Sequence, residues 1–291
     1  SRPVAGPRVQ RPGGRWHRLL PGLYSRGHRP ERGGRAEQIE AFVSSPGGML
    51  LFRFVGQAVF ALVLWLATLR QRGARRIWLG MLPARISRSE YPLLVLGTLP
   101  VAWFGVILAG LVAQLGTPDD SMTEIWSSIS PAMATVFVLA ISIVPGLVEE
   151  LFFRGHIQRR LLLRWPPACA IAVTALLFAV AHLNVIQAVF ALPLGIWLGI
   201  MAWRTGSIWP GVLCQAVVNA AWNLLNIARA QSSFQVEGGP MLLSICATGL
   251  ACVLALVASI VLLVRIGPPP RPDAQLAGAV AEVAPERDYS I

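Results

Sequence analysis

Seven apolar runs organise the chain, at 50–69, 92–115, 131–147, 167–183, 185–203, 208–228 and 241–265. Each is close to the roughly 20 residues a helix needs to cross a bilayer. The pattern predicts an all-α fold, a polytopic transmembrane helical bundle of seven or eight helices. The eighth arises at Pro145-Gly146, which interrupts the third run. Proline removes one helical hydrogen bond, so a break or kink is expected there, with residues 147–163 restarting as a separate helix.

The flanks orient the bundle. The segment "RQRGARRIWLGMLPARISRSEY" between the first two runs is strongly basic, as cytoplasmic loops are, whereas "GTPDDSMTEIW" after the second run is acidic and lacks Arg, which places it outside. Arg154, Arg159, Arg160 and Arg164 return the chain to the inner side, and Arg204 and Arg265 continue the alternation. Trp65, Trp78, Trp126, Trp165, Trp203 and Trp209 stand near run ends, as interfacial aromatics do. Both flanks of the first run are basic, which leaves the orientation of the N-terminus open.

Three segments follow from the same pattern. Residues 1–46 are rich in Arg, Gly and Pro without a sustained hydrophobic period, and they cannot bury enough apolar surface to offset their ordering entropy. They are read either as an extension upstream of a natural start at or near Met49 or as a disordered cytoplasmic tail. Residues 47–266 form the membrane domain, with its motif core at 131–228. Residues 267–291 are Pro/Ala-rich and expected to be disordered.

Composition agrees with a membrane protein. Of the 291 residues 55% are hydrophobic and only 13% charged, about half the charged share of a soluble domain. The formal charge of +11 does not mark a nucleic-acid binder. Nine of the 25 basic residues lie in the first 35 positions, most of the others flank apolar runs, and all are arginine. Cys169, Cys214, Cys246 and Cys252 all fall inside apolar segments with no CxxC pair, which predicts buried free thiols rather than disulfides or a zinc cluster.

Against this background "VEELFFRGHIQRR", residues 148–160, stands out, because an ionised carboxylate in lipid costs several kcal/mol, on the order of 3, unless it faces partners or water. Glu150 and Arg154 stand at i and i+4, where carboxylate and guanidinium pair on one helix face. Glu149 points about 100° away and is expected to lack that partner, the arrangement of a poised general base. An interfacial helix start, with acids near the N-terminal dipole, is the plainer alternative. Downstream, His182 is the one ionisable group of its run, with polar Asn184 and Gln187 nearby. Gln215 and Asn219 lie four residues apart on one face of an apolar helix, and Asn223 and Asn226 extend the stripe. Singly, each amide suits interhelical packing, as does the GxxxG formed by Gly195 and Gly199.

Taken in order, EExxxR, FxxxH (Phe178 to His182) and an amide pair at i, i+4 resemble the motifs of the CAAX protease and bacteriocin-processing family of intramembrane endopeptidases, also grouped as abortive-infection proteins. The phrases "EELFFRGHI", "LLFAVAHLN" and "RTGSIWPGVLCQAVVNA" are similar as well. The resemblance covers roughly residues 90–230 and is specific in its first two motifs. It implies a multi-pass protein of a bacterial inner membrane that hydrolyses a membrane-associated peptide or protein. Glu149 would activate a water, Arg154 would hold Glu150, His182 would position or polarise the water, and Asn219 would stabilise the oxyanion. The third motif departs from the pattern, with Gln215 where histidine is expected. Gln is a poor zinc ligand, so the implied mechanism is metal-free and no cofactor is expected. His156, two turns from Glu149, is a residue that could compensate. Two rivals stand beside proteolysis. One is a catalytically inactive member serving as scaffold or in bacteriocin self-immunity, favoured by Gln215. The other is a transporter, disfavoured by the motif order and the absence of an internal repeat.

Overall fold

The computed structural model describes residues 46–69, 75–114, 130–231 and 239–269, with a few positions between 34 and 42. The chain divides into two units, Ser1–Ser45 and Pro46–Ile291, and the description that follows concerns the second. The expectations for residues 1–45, for the acidic segment 116–126 and for the tail beyond 269 lie outside the described residues.

Each of the seven runs becomes a helix: α1 Pro46–Ala67, α2 Tyr91–Ala113, α3 Pro131–Glu149, α4 Pro167–Val180, α5 Val185–Thr205, α6 Trp209–Gln231 and α7 Gly239–Ile266. Among the described residues, five stretches are long and apolar enough to cross a membrane: Arg88–Ala113, Pro131–Leu161, Val185–Thr205, Trp209–Arg229 and Ala247–Ile266. Phe54–Ala67 and Pro167–Val180 are shorter apolar helices. The protein is an all-α membrane bundle.

Local chemistry sets the helix ends. Ser130 caps α3 by accepting from the Met133 N–H, with Pro131 at the first helical position, where its missing N–H costs nothing. Asn184 caps α5 by accepting from the Gln187 N–H at 3.0 Å, and Gly206, at φ +70°, ends that helix in the left-handed conformation glycine tolerates. Packing follows small residues. α5 lies centrally against α4, α2 and α6, while α3 packs on α6 and α7 on α2. Gly195 lets α5 approach Ala175 and Phe178 of α4, and Gly199 admits the Gln158 side chain. Trp197 donates its indole N–H to the Thr98 hydroxyl at 2.9 Å, joining α5 to α2.

The polarity is inverted relative to a soluble domain. Glu150, Arg154, Gln158, Thr174 and Gln215 are buried, whereas Val136, Phe104 and Leu250 are exposed on outward faces. Such outward faces suit lipid. The same inversion corrects one expectation about the thiols. Cys214 is a buried free thiol, but Cys169 is free and exposed, because an apolar neighbourhood in a membrane helix can be lipid rather than protein.

The expected break at Pro145-Gly146 is not there. α3 runs through Pro145 and continues without interruption to Leu161, so no separate eighth helix forms over 147–163. A proline forfeits a single backbone bond, which a packed membrane helix tolerates. The irregularity comes five residues later, where Glu150–Gln158 wind as a π-helix.

Candidate active site

Glu150 opens the π segment, and the wide winding keeps Glu150, Arg154 and Gln158 together on the buried side. π turns are uncommon and cluster at functional sites. The Arg154 guanidinium meets the Glu150 carboxylate at 2.7 Å, and both side chains are wholly buried. Arg154 also donates to the Gly195 carbonyl oxygen at 3.2 Å and lies 4.4 Å from the centre of the Phe178 ring. Gln158, one turn on, donates to the Gly199 carbonyl oxygen at 2.8 Å. The two glycines of the GxxxG thus expose backbone acceptors as well as space.

The opposite wall is equally close. A Cβ on Gly211 of α6 would fall on Oε2 of Glu150, and the ion pair leaves that carboxylate nowhere to move. Gly211→Ala should therefore destabilise the protein by about 1–3 kcal/mol, as overpacking does. A chemical-denaturation midpoint in detergent equal to that of the parent would show that the pair can shift.

Glu149 is not left without partners, contrary to the expectation from helix geometry. Its Oε1 accepts from Nε2 of Gln57 at 2.7 Å, and its Oε2 accepts from Nε2 of Gln215 at 2.5 Å. Two amides from α1 and α6 thereby grip both oxygens, while each keeps a buried carbonyl oxygen with no partner among the described residues. Gln57 carries no motif. Its one signal in the sequence is that it is the single amide in the run 50–69. The carboxylates therefore lie among α1, α3, α4, α5 and α6.

His182 stands one turn beyond Phe178, its ring edge-on to the phenyl at 5.0 Å. Its Nδ1 lies 2.9 Å from the Phe178 carbonyl oxygen. A carbonyl can only accept, so Nδ1 carries the proton and Nε2 is the basic nitrogen. Phe178 thus touches both Arg154 and His182. Asn219 follows Gln215 by one turn, half-buried, and its backbone oxygen accepts from Asn223 Nδ2 at 2.7 Å. Among the described residues the Asn219 side-chain amide makes no hydrogen bond. His156 does not compensate for Gln215. Its Nδ1 lies 2.8 Å from Nη1 of Arg160 and its ring stacks on Phe152, so it is engaged elsewhere.

Among the described residues no three His, Cys, Asp or Glu side chains form a group that could hold a metal ion. The amide nitrogen of Gln215 donates to Glu149, and an amide is not among the usual protein ligands of zinc.

Residues 131–221 match the family model described as type II CAAX prenyl endopeptidase, Rce1-like. That stretch runs from the start of α3 into α6 and holds Glu149, Glu150, Arg154, His182, Gln215 and Asn219. No curated protein and no solved structure matches the chain.

Proposed function

We propose, for a chain whose residues 131–221 match the Rce1-like type II CAAX prenyl endopeptidase family model, that it is an active intramembrane endopeptidase using a glutamate-activated water. The observation that carries this reading is the grip of Gln57 and Gln215 on both oxygens of Glu149. A base works when it is already aimed, and fixing it beforehand removes that cost from the barrier.

Glu149 takes a proton from water as the water oxygen bonds to the scissile carbonyl carbon. The carbonyl oxygen becomes an oxyanion, for which the unengaged Asn219 amide is the available donor. Collapse breaks the C–N bond, and the proton held on Glu149 passes to the departing nitrogen, giving one carboxylic acid and one amine and restoring the Glu149 carboxylate. The basic Nε2 of His182 accepts from the water and orients it. Arg154 and Glu150 take no part in proton transfer; they hold the π segment that begins beside Glu149.

Purified protein should cleave a membrane-associated peptide with the same single-turnover rate in the presence and absence of a strong chelator. Gln215→His should change that rate by a modest factor, about tenfold at most, because it alters one donor to the base. Loss of cleavage on chelation, or stoichiometric zinc in an active sample, would overturn the metal-free mechanism. A folded protein that cleaves no peptide would favour the scaffold or self-immunity reading instead.

A further inference from the structure

A cavity of about 550 Å³ opens at the arginine-rich end of the bundle, away from the glutamates. Arg159, Arg164, Trp165, Trp203 and Ser207 line it, and Pro268 borders it just after α7. Arg159 is buried although charged, and its Nη1 reaches the Gly206 carbonyl oxygen at 3.5 Å. Among the described residues, no aspartate or glutamate lines the cavity.

Its walls are cross-braced. The Ser207 hydroxyl donates to the Leu82 carbonyl oxygen at 2.6 Å, and the Ile208 N–H donates to the Gly80 carbonyl oxygen at 3.0 Å. These bonds fasten the loop before α6 to the turn that follows Trp78. The cavity is therefore a built feature of the fold, not a gap between loose loops.

Its depth is fixed by the spans. Pro131–Leu161, Val185–Thr205 and Ala247–Ile266 end at its rim, and Trp209–Arg229 begins there. Four apolar spans meeting at one level mark the edge of the hydrocarbon core, and Trp165 and Trp203 suit that level. The side is the basic one, which faces the leaflet whose anionic lipids create a negative surface potential. Two arginines, a volume in the range of small-ligand sites and an interfacial position select a phosphate-bearing group.

We infer that this cavity binds the phosphate headgroup of an anionic inner-leaflet lipid, Arg159 and Arg164 pairing with the phosphate and the two tryptophans flanking its glycerol. The inference does not depend on the peptidase reading, since it concerns a different set of residues.

Native mass spectrometry of the purified full chain, with phosphatidylglycerol and phosphatidylcholine added at equal concentration, tests it. One phosphatidylglycerol per chain should be retained in preference to phosphatidylcholine. Arg164→Gln should weaken that preference about tenfold, the size of one charge-assisted hydrogen bond. Arg159→Gln should do the same, and should it fail to fold, the exposed Arg164 carries the test alone. Arg88→Gln, a basic position outside the cavity, should change nothing. Equal retention of both lipids, or an equal loss with Arg88→Gln, would overturn the site. Displacement of the lipid by millimolar inorganic phosphate would show a soluble-anion site and reject the lipid. Displacement by a peptide with a free C-terminal carboxylate, but not by its amide, would reject the lipid in favour of a peptide terminus.

Discussion

Protein carrying Glu149→Gln should lose peptide cleavage by about 10²–10⁴-fold while keeping its fold, since that is the range for removing a general base. The substitution is close to isosteric, but it puts an NH₂ group where one of the two gripping amides now donates. The unpartnered carbonyl oxygens of Gln57 and Gln215 resolve that conflict. Turning one amide over brings its oxygen to the new donor, so the contact to residue 149 is kept and the helices need not move. Unfolding midpoints within experimental error of the parent, together with the rate loss, are the expected pair of results. Cleavage within a few-fold of the parent would remove Glu149 from the role of base. A collapse in stability would instead mean that the carboxylate is a structural anchor between α1 and α6.

The largest effect on stability is expected at Arg154. Arg154→Ala strands the Glu150 carboxylate in a wholly buried site, removes the donor to the Gly195 carbonyl oxygen and empties the space over Phe178. Removing one partner of a buried pair costs about 3–5 kcal/mol, most of it for the charge left behind. Activity should fall too, because Glu149 is the residue next to the stranded one. The double variant Glu150→Gln, Arg154→Met separates the causes. It leaves no uncompensated charge, so it should recover most of the lost stability without restoring full activity. Unfolding curves in one detergent for the parent, the single variant and the double variant provide the measurement. A single variant as stable as the parent would show that water reaches the pair.

How much of this was legible in advance depends on the range of the interaction. The seven apolar runs become seven helices because a bilayer demands uninterrupted apolar length, and that demand is written locally. The pairing of Glu150 with Arg154 was equally local, four residues apart on one helix. Glu149 was misjudged because its partners are not local. Gln57 lies 92 residues away in the chain, and nothing in its own run marks it as a donor to a glutamate. His156 was weighed by its distance from Glu149 along the helix, yet its Nδ1 turns to the guanidinium of Arg160. The break expected at Pro145 reflects a rule learned from isolated helices. In a bundle, neighbouring helices hold the chain straight across a single missing bond, and the winding yields where buried side chains require it.

That winding has a consequence for lengths. A stretch of π-helix holds one residue more than a regular helix closing the same gap, so Glu150–Gln158 can be regarded as an insertion carried in place. Loss of one residue between Leu151 and Phe153 would let the segment relax into a regular helix without moving either end. The side chains within the segment would then leave the shared bearing that the wide winding gives them. Arg154, in the middle of the segment, would shift against the Gly195 carbonyl oxygen, although it had not itself been changed. For this chain, the number of residues between Glu150 and Gln158 is as much a part of the site as their identities.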